Sequence, residues 1–127
     1  MRSIATIFAL LVAAPALADP VFGEWKTQSS AMEKYAGHYL HVRFEPCGSK
    51  ICGKITKVVG IEADIIGKVI IWDMKAKADG SYTGGKIWPP DRGGTYSSKM
   101  KLQGDKLKVS GCLAGGLLCE SQTWSRL

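Results

Sequence analysis

Residues 106–110 read Lys-Leu-Lys-Val-Ser, polar and apolar by strict alternation. A period of two marks a strand with one wet face and one buried face. Similar β-like runs recur along the chain at 22–26, 38–45, 51–59, 69–75, 81–88, 95–102 and 119–126. In 38–45, Leu40, Val42 and Phe44 share one face; in 95–102, Tyr96, Ser98, Met100 and Leu102 do. Turn chemistry separates the runs: Ala-Asp-Gly after residue 77, Pro-Pro-Asp-Arg-Gly-Gly after Trp88, Gln-Gly-Asp after Leu102. The Gly84-Gly85 pair inside one run predicts a bulge. Little helical periodicity competes; the polar stretch 27–37 has room for a single helical turn.

About eight short antiparallel strands, joined mostly in order by tight turns, leave one apolar face that no helix is present to cover. Closing the sheet on itself covers that face and removes the exposed edges together. The chain is therefore expected to be all-β, a single up-and-down β-barrel. A β-sandwich is the alternative. A barrel of this size has room for interior side chains and one small ligand.

Residues 1–18 set the expected compartment. Arg2 precedes an apolar run from Ile4 to Val12, and the segment closes on Ala16-Leu17-Ala18, a small-x-small cleavage pattern. The run falls short of the ~20 apolar residues of a spanning helix. The expectation is a signal peptide over 1–18 and a barrel domain over 19–127, placing the protein in the bacterial periplasm or outside the cell. Cleavage leaves 127 − 18 = 109 residues and, with Arg2 gone, a formal charge of +5 in place of +6.

All four cysteines fall in the mature part: Cys47, Cys52, Cys112 and Cys119. A small exported domain gains from covalent staples, and an even cysteine count suits them. Of three pairings, the local two, Cys47–Cys52 and Cys112–Cys119, each bridge the arms of one hairpin. The residues between the first pair, Gly-Ser-Lys-Ile, suit a turn. A metal or redox site is the competing reading. Zinc wants four ligands, and redox motifs place Cys-x-x-Cys at a helix start; neither is seen.

The lysines are scattered and often alternate with apolar residues, as on a solvated outer face. A basic surface also attracts polyanions, so an anionic envelope polymer or lipid headgroups are the sharper reading. Nucleic acid is not expected, since no recognisable binding motif is present. His38 and His41, three apart on a strand, point to opposite faces and read as solvated histidines. No phosphate loop, Ser-His-Asp set or nucleophile elbow occurs, and Glu62 with Asp64 has no orienting base. No catalytic residue, metal or cofactor is expected.

The aromatic residues carry more. Trp25 on the first strand and Arg126 on the last become neighbours in a closed barrel, where a cation–π contact would seal it. Trp72, Tyr82, Trp88 and Tyr96 on the middle strands, with Met100 and Phe44, are expected to line a small apolar cavity; barrel core is the alternative.

Several stretches together resemble a bacterial exported family catalogued as domain of unknown function 2147. They are Gly-Glu-Trp-Lys-Thr from Gly23, Pro-Cys-Gly-Ser-Lys-Ile-Cys-Gly-Lys-Ile from Pro46, the run 84–102, Leu-Lys-Val-Ser-Gly-Cys from Leu107, and the terminal Ser-Gln-Thr-Trp-Ser-Arg-Leu. Gly23-x-Trp25 with Arg126 is similar to the signature of the wider lipocalin group, a mark of fold. The resemblance implies an exported lipocalin-like barrel, a carrier of small apolar molecules. It also implies a shorter loop over 60–67 than longer members carry, and so a more open barrel mouth. The leading expectation is an exported protein binding a small apolar or amphipathic ligand. The alternative is a non-catalytic envelope module with a filled barrel and a basic surface.

Overall fold

Every predicted run becomes a strand in the computed structural model, which describes residues 19–127. The expected signal peptide lies outside the described residues. The strands are β1 (Gly23–Lys26), β2 (Tyr39–Cys47), β3 (Lys50–Val59), β4 (Val69–Ala76), β5 (Ser81–Ile87), β6 (Tyr96–Gln103), β7 (Lys106–Leu113) and β8 (Leu118–Arg126). Each pairs antiparallel with the next, and β1 pairs with β8, which closes the barrel. The sandwich is thereby excluded. The polar stretch after β1 holds one 3-10 turn, Glu33–Tyr35.

Loop lengths give the barrel two unlike ends. At one end β2–β3, β4–β5 and β6–β7 are joined by tight turns. The first is the two-residue Gly48-Ser49 turn, where Gly48 has φ 60°, the left-handed value a hairpin glycine supplies freely. The other end carries the long connections, 27–38, 60–68, 88–95 and 114–117. The staples divide between the ends. Cys47–Cys52 ties the β2–β3 hairpin at the tight-turn end, and Cys112–Cys119 ties β7 to β8 at the other. By loop entropy, each small ring contributes about 2 kcal/mol.

The tight-turn end is packed solid. Trp25, Val42, Phe44, Ile55, Met74 and Leu107 are all buried there or in mid-barrel. The Gly84-Gly85 bulge makes room for part of this packing: the β5–β6 register slips between Tyr82 and Gly85. A Cβ on Gly85 would lie 2.6 Å from both Met74 Sδ and the main-chain oxygen of Trp72.

The β1–β8 seam is the thinnest in the barrel, with only Trp25↔Arg126 and Lys26↔Ser125 in register. Side chains reinforce it. The Arg126 guanidinium carbon stands 4.3 Å from the Trp25 ring centre. Arg126 also donates to the Phe22 carbonyl at 3.2 Å and to the Pro20 carbonyl, and the Trp25 indole N–H donates to the Val21 carbonyl at 2.9 Å.

Beside the seam, the Tyr82 hydroxyl donates to Asp19 Oδ1 at 2.7 Å. Burial, and then the Asp19 carboxylate, push the Tyr82 phenol well above its ordinary value of 10.0. The fold therefore favours the neutral phenol. That contribution is intact while the unfolded tyrosine is also neutral, and is lost as pH rises above about 10. Thermal melts between about pH 9 and pH 11 should show an alkaline decline that Tyr82→Phe makes shallower. An identical decline in the variant would assign it to other groups.

Candidate functional site

The loop-bearing end is hollow. A cavity of about 820 Å³ opens there, lined by residues from three of the long connections, 27–38, 60–68 and 88–95, and from the upper barrel wall. Drug-sized ligands occupy cavities of roughly 300–1,000 Å³. Leu40, Val58, Ile70, Ile87 and Val109 supply an apolar wall. Trp124 lines the cavity and stacks on Phe44, ring centres 6.0 Å apart, so the two rings separate the hollow from the packed half below. The Trp124 indole N–H is satisfied by Gln122 Oε1 at 2.9 Å.

The mouth is held by cross-links between loops. Ser30 Oγ donates to Asp91 Oδ2 at 2.5 Å, joining segment 27–38 to segment 88–95. Arg92 pairs with Glu120 at 2.6 Å, joining 88–95 to β8. Gln28 Oε1 accepts from the Thr123 backbone N–H at 3.0 Å, above the level where β1 stops pairing with β8. The 60–68 loop is folded back on β3, with Gly67 N–H donating to the Ile55 carbonyl at 2.7 Å. Lys68 lies 4.4 Å from the Trp88 ring centre.

The six aromatic and apolar residues expected to line a cavity separate into three groups. Trp88 and Tyr96 line it. Phe44, Tyr82 and Met100 face inward at 1%, 2% and 3% exposure, but in the packed half of the barrel. Trp72 does neither. The β3–β4 register passes from Gly53↔Ile71 to Lys54↔Val69, so β4 bulges at Ile70 and buries two isoleucines in succession. Trp72 then falls opposite the exposed Lys86, on the outer face.

Reading along the strands misses the loop contributions: Thr27, Tyr35 and Pro89 have no strand periodicity to reveal them, and His38, read as the start of a strand, stands at the end of the 27–38 connection. His38 is the informative one. It is not a solvated histidine: its ring packs edge-on to Tyr35, centres 6.3 Å apart, and its Nδ1 is buried with no hydrogen-bond partner. Buried polar atoms are nearly always partnered, so this orphan Nδ1, packed behind the cavity wall rather than open to it, is an exception in the fold. His41 instead stacks on Tyr39. Among the described residues no group of His, Cys, Asp and Glu has metal-holding geometry, and no helix is long and apolar enough to cross a membrane.

Comparison with known proteins agrees with this architecture. A family model described as "Uncharacterized protein conserved in bacteria (DUF2147)" matches residues 23–126. The chain is also similar to a solved structure titled "Protein HP1028 from the human pathogen Helicobacter pylori belongs to the lipocalin family". The TM-score is 0.69 at 21% identity, over 84% of this chain and 82% of that one. At that identity the likeness is one of fold. No curated protein matches the sequence significantly.

Proposed function

The chain belongs to the DUF2147 family of proteins conserved in bacteria, and from that premise we propose that it is an exported, non-catalytic carrier of a small amphipathic molecule. One observation carries the reading. A barrel packed at one end keeps about 820 Å³ open at the other, with apolar walls and a few polar side chains such as Glu120 and Gln122 among them. A ligand with an apolar body and one hydrogen-bonding group suits such a site, because the apolar body gains affinity and the polar group fixes orientation. Trp88 and Tyr96 would contact the apolar body, and Glu120 or Gln122 the polar group. Export is supported by the patterning of residues 1–18 and by two disulfides, which persist in oxidising compartments.

Gly111 offers a direct test, because it lines the cavity and has room for a side chain. A Cβ there would meet Ile87 Cγ2 at 3.4 Å and Tyr96 Cβ at 3.8 Å, both ordinary contacts. Gly111→Leu should fill the hollow without breaking the barrel. A hydrophobic fluorescent probe should bind the wild type saturably and Gly111→Leu at least about tenfold more weakly, as loss of ~1.4 kcal/mol of apolar contact requires. Binding that never saturates, or that ignores this substitution in a protein melting normally, would remove the cavity from the account.

A further inference from the structure

Opposite in character to the cavity is the outer wall of β5–β8. Lys86, Lys99, Lys101, Lys106 and Lys108 all stand on its outward positions, alternating with the buried Ile87, Met100, Leu107 and Val109. The remaining outward positions of these strands are largely Ser and Thr. The nearby acids are largely engaged elsewhere: Asp79 in its own turn accepts from Ser81 and attracts only Lys101, Asp105 lies beside Arg126 at 3.8 Å, and Glu120 pairs with Arg92. None of the five lysines takes part in an ion pair among the described residues.

The register sharpens the point. Lys101 lies directly across from Lys108, in a row that runs from Ser81 on β5 to Thr123 on β8. Like charges directly opposed on a sheet are destabilising, and neighbouring acids normally relieve them. Lys101 is held by Asp79, whose main-chain oxygen accepts from its Nζ at 2.6 Å and whose carboxylate is near enough to attract it; Lys99 and Lys108 have no acid partner of their own among the described residues. The same place is concave. A groove of about 170 Å³ lies between Lys99, Lys101 and Lys108, floored by Met100 and the lysine stems, with hydroxyls of neighbouring Ser and Thr also lining it. Ser110 is 3% exposed, and its hydroxyl is 2.7 Å from that of Ser121 on the next strand.

We propose that this outer face of β5–β8 binds an acidic polysaccharide, with the Lys99–Lys101–Lys108 groove as its centre. Lysines two apart on a strand are spaced by roughly 6.6 Å, and those across strands by about 5 Å, a lattice suited to a chain bearing one anion per sugar. The hydroxyls between them match the hydroxyls of such a chain. A bilayer suits the wall poorly. Interfacial binding needs apolar insertion together with positive charge, and the exposed large apolar residues of the described chain, such as Ile66, Leu117 and Leu118, sit at the cavity mouth or at Leu127. The site is independent of the cavity.

The test compares two triple variants with equal charge change. Lys99→Gln/Lys101→Gln/Lys108→Gln alters the groove; Lys34→Gln/Lys50→Gln/Lys57→Gln alters lysines elsewhere. The probes are polygalacturonate, phosphorylated dextran, neutral dextran and anionic lipid vesicles, titrated by calorimetry at low salt. Saturable binding of the acidic polymers but not neutral dextran is expected. It should weaken steeply with salt, at least tenfold in the groove triple and less than twofold in the other. Preference between the two acidic polymers then assigns carboxylate or phosphate. Equal weakening in both triples would reduce the effect to net charge and overturn the site, as would vesicles binding as well as the polymers, or no polymer binding at all. Unchanged cavity-probe binding in both triples confirms that each still folds.

Discussion

Trp25→Ala is expected to lower the unfolding free energy by about 3–5 kcal/mol, the range for truncating a fully buried tryptophan. The side chain is 0% exposed, so the whole indole leaves a cavity in the packed half of the barrel. Its removal also cuts into the seam that has least else to hold it. β7 and β8 share a continuous register from Lys106↔Ser125 to Leu113↔Leu118, whereas β1 and β8 share two pairs. Trp25 and Arg126, which packs on its ring, form one of those two pairs.

A domain of this size is stable by roughly 5–15 kcal/mol, so such a loss consumes a large part of the margin. Arg126→Met isolates the polar share. It keeps an apolar stem over the indole but removes the donors to the Pro20 and Phe22 carbonyls, and should cost about 1–3 kcal/mol. Urea denaturation with an unchanged slope would measure both. A Trp25→Ala loss below about 1 kcal/mol would mean that the seam holds by main-chain pairing alone.

Why the barrel was legible and the hollow was not follows from what a strand pattern encodes. Alternation such as Lys106-Leu-Lys-Val-Ser states which side chains face inward, and β7 does bury Leu107 and Val109. Tight turns such as Gly48-Ser49 and Gly104-Asp105 state where the chain reverses. Alternation says nothing about height along the barrel axis. Phe44, Tyr82 and Met100 were readable as inward, yet they belong to the packed layer, while Trp88 and Tyr96 reach the open one. Trp72 was misplaced for a different reason. β4 slips twice, at Ile70 and again before Met74 where Asp73 has φ 59°, so Trp72 turns outward between the buried Ile71 and Met74, and neither slip leaves a compositional mark. Tyr35 comes from a connection without period, and His38 reads as a strand residue although β2 starts only at Tyr39, so only the folded chain shows the two to be partly buried. The disulfides were readable because hairpin partners close in sequence are forced close in space.

Those disulfides lie at opposite ends of the barrel, which makes them separable in effect. Replacing Cys47 and Cys52 by serine should cost about 2 kcal/mol by loop entropy, and replacing Cys112 and Cys119 about the same. The pairs share no contacts, so removing both should cost about 4 kcal/mol, close to the sum. Their consequences for binding should differ. Cys47–Cys52 closes a hairpin in the packed half, so its loss should leave probe affinity within about twofold in protein that remains folded. Cys112–Cys119 holds the start of β8, where Leu118 and Cys119 line the cavity and β8 has no β1 partner beside it. Its loss frees one wall of the mouth, and probe affinity should fall about tenfold. Denaturant titration and probe titration of the two double variants read stability and binding separately. Equal binding losses from both would show that the staples act through global stability. A loss confined to Cys112–Cys119 would locate the ligand at the mouth.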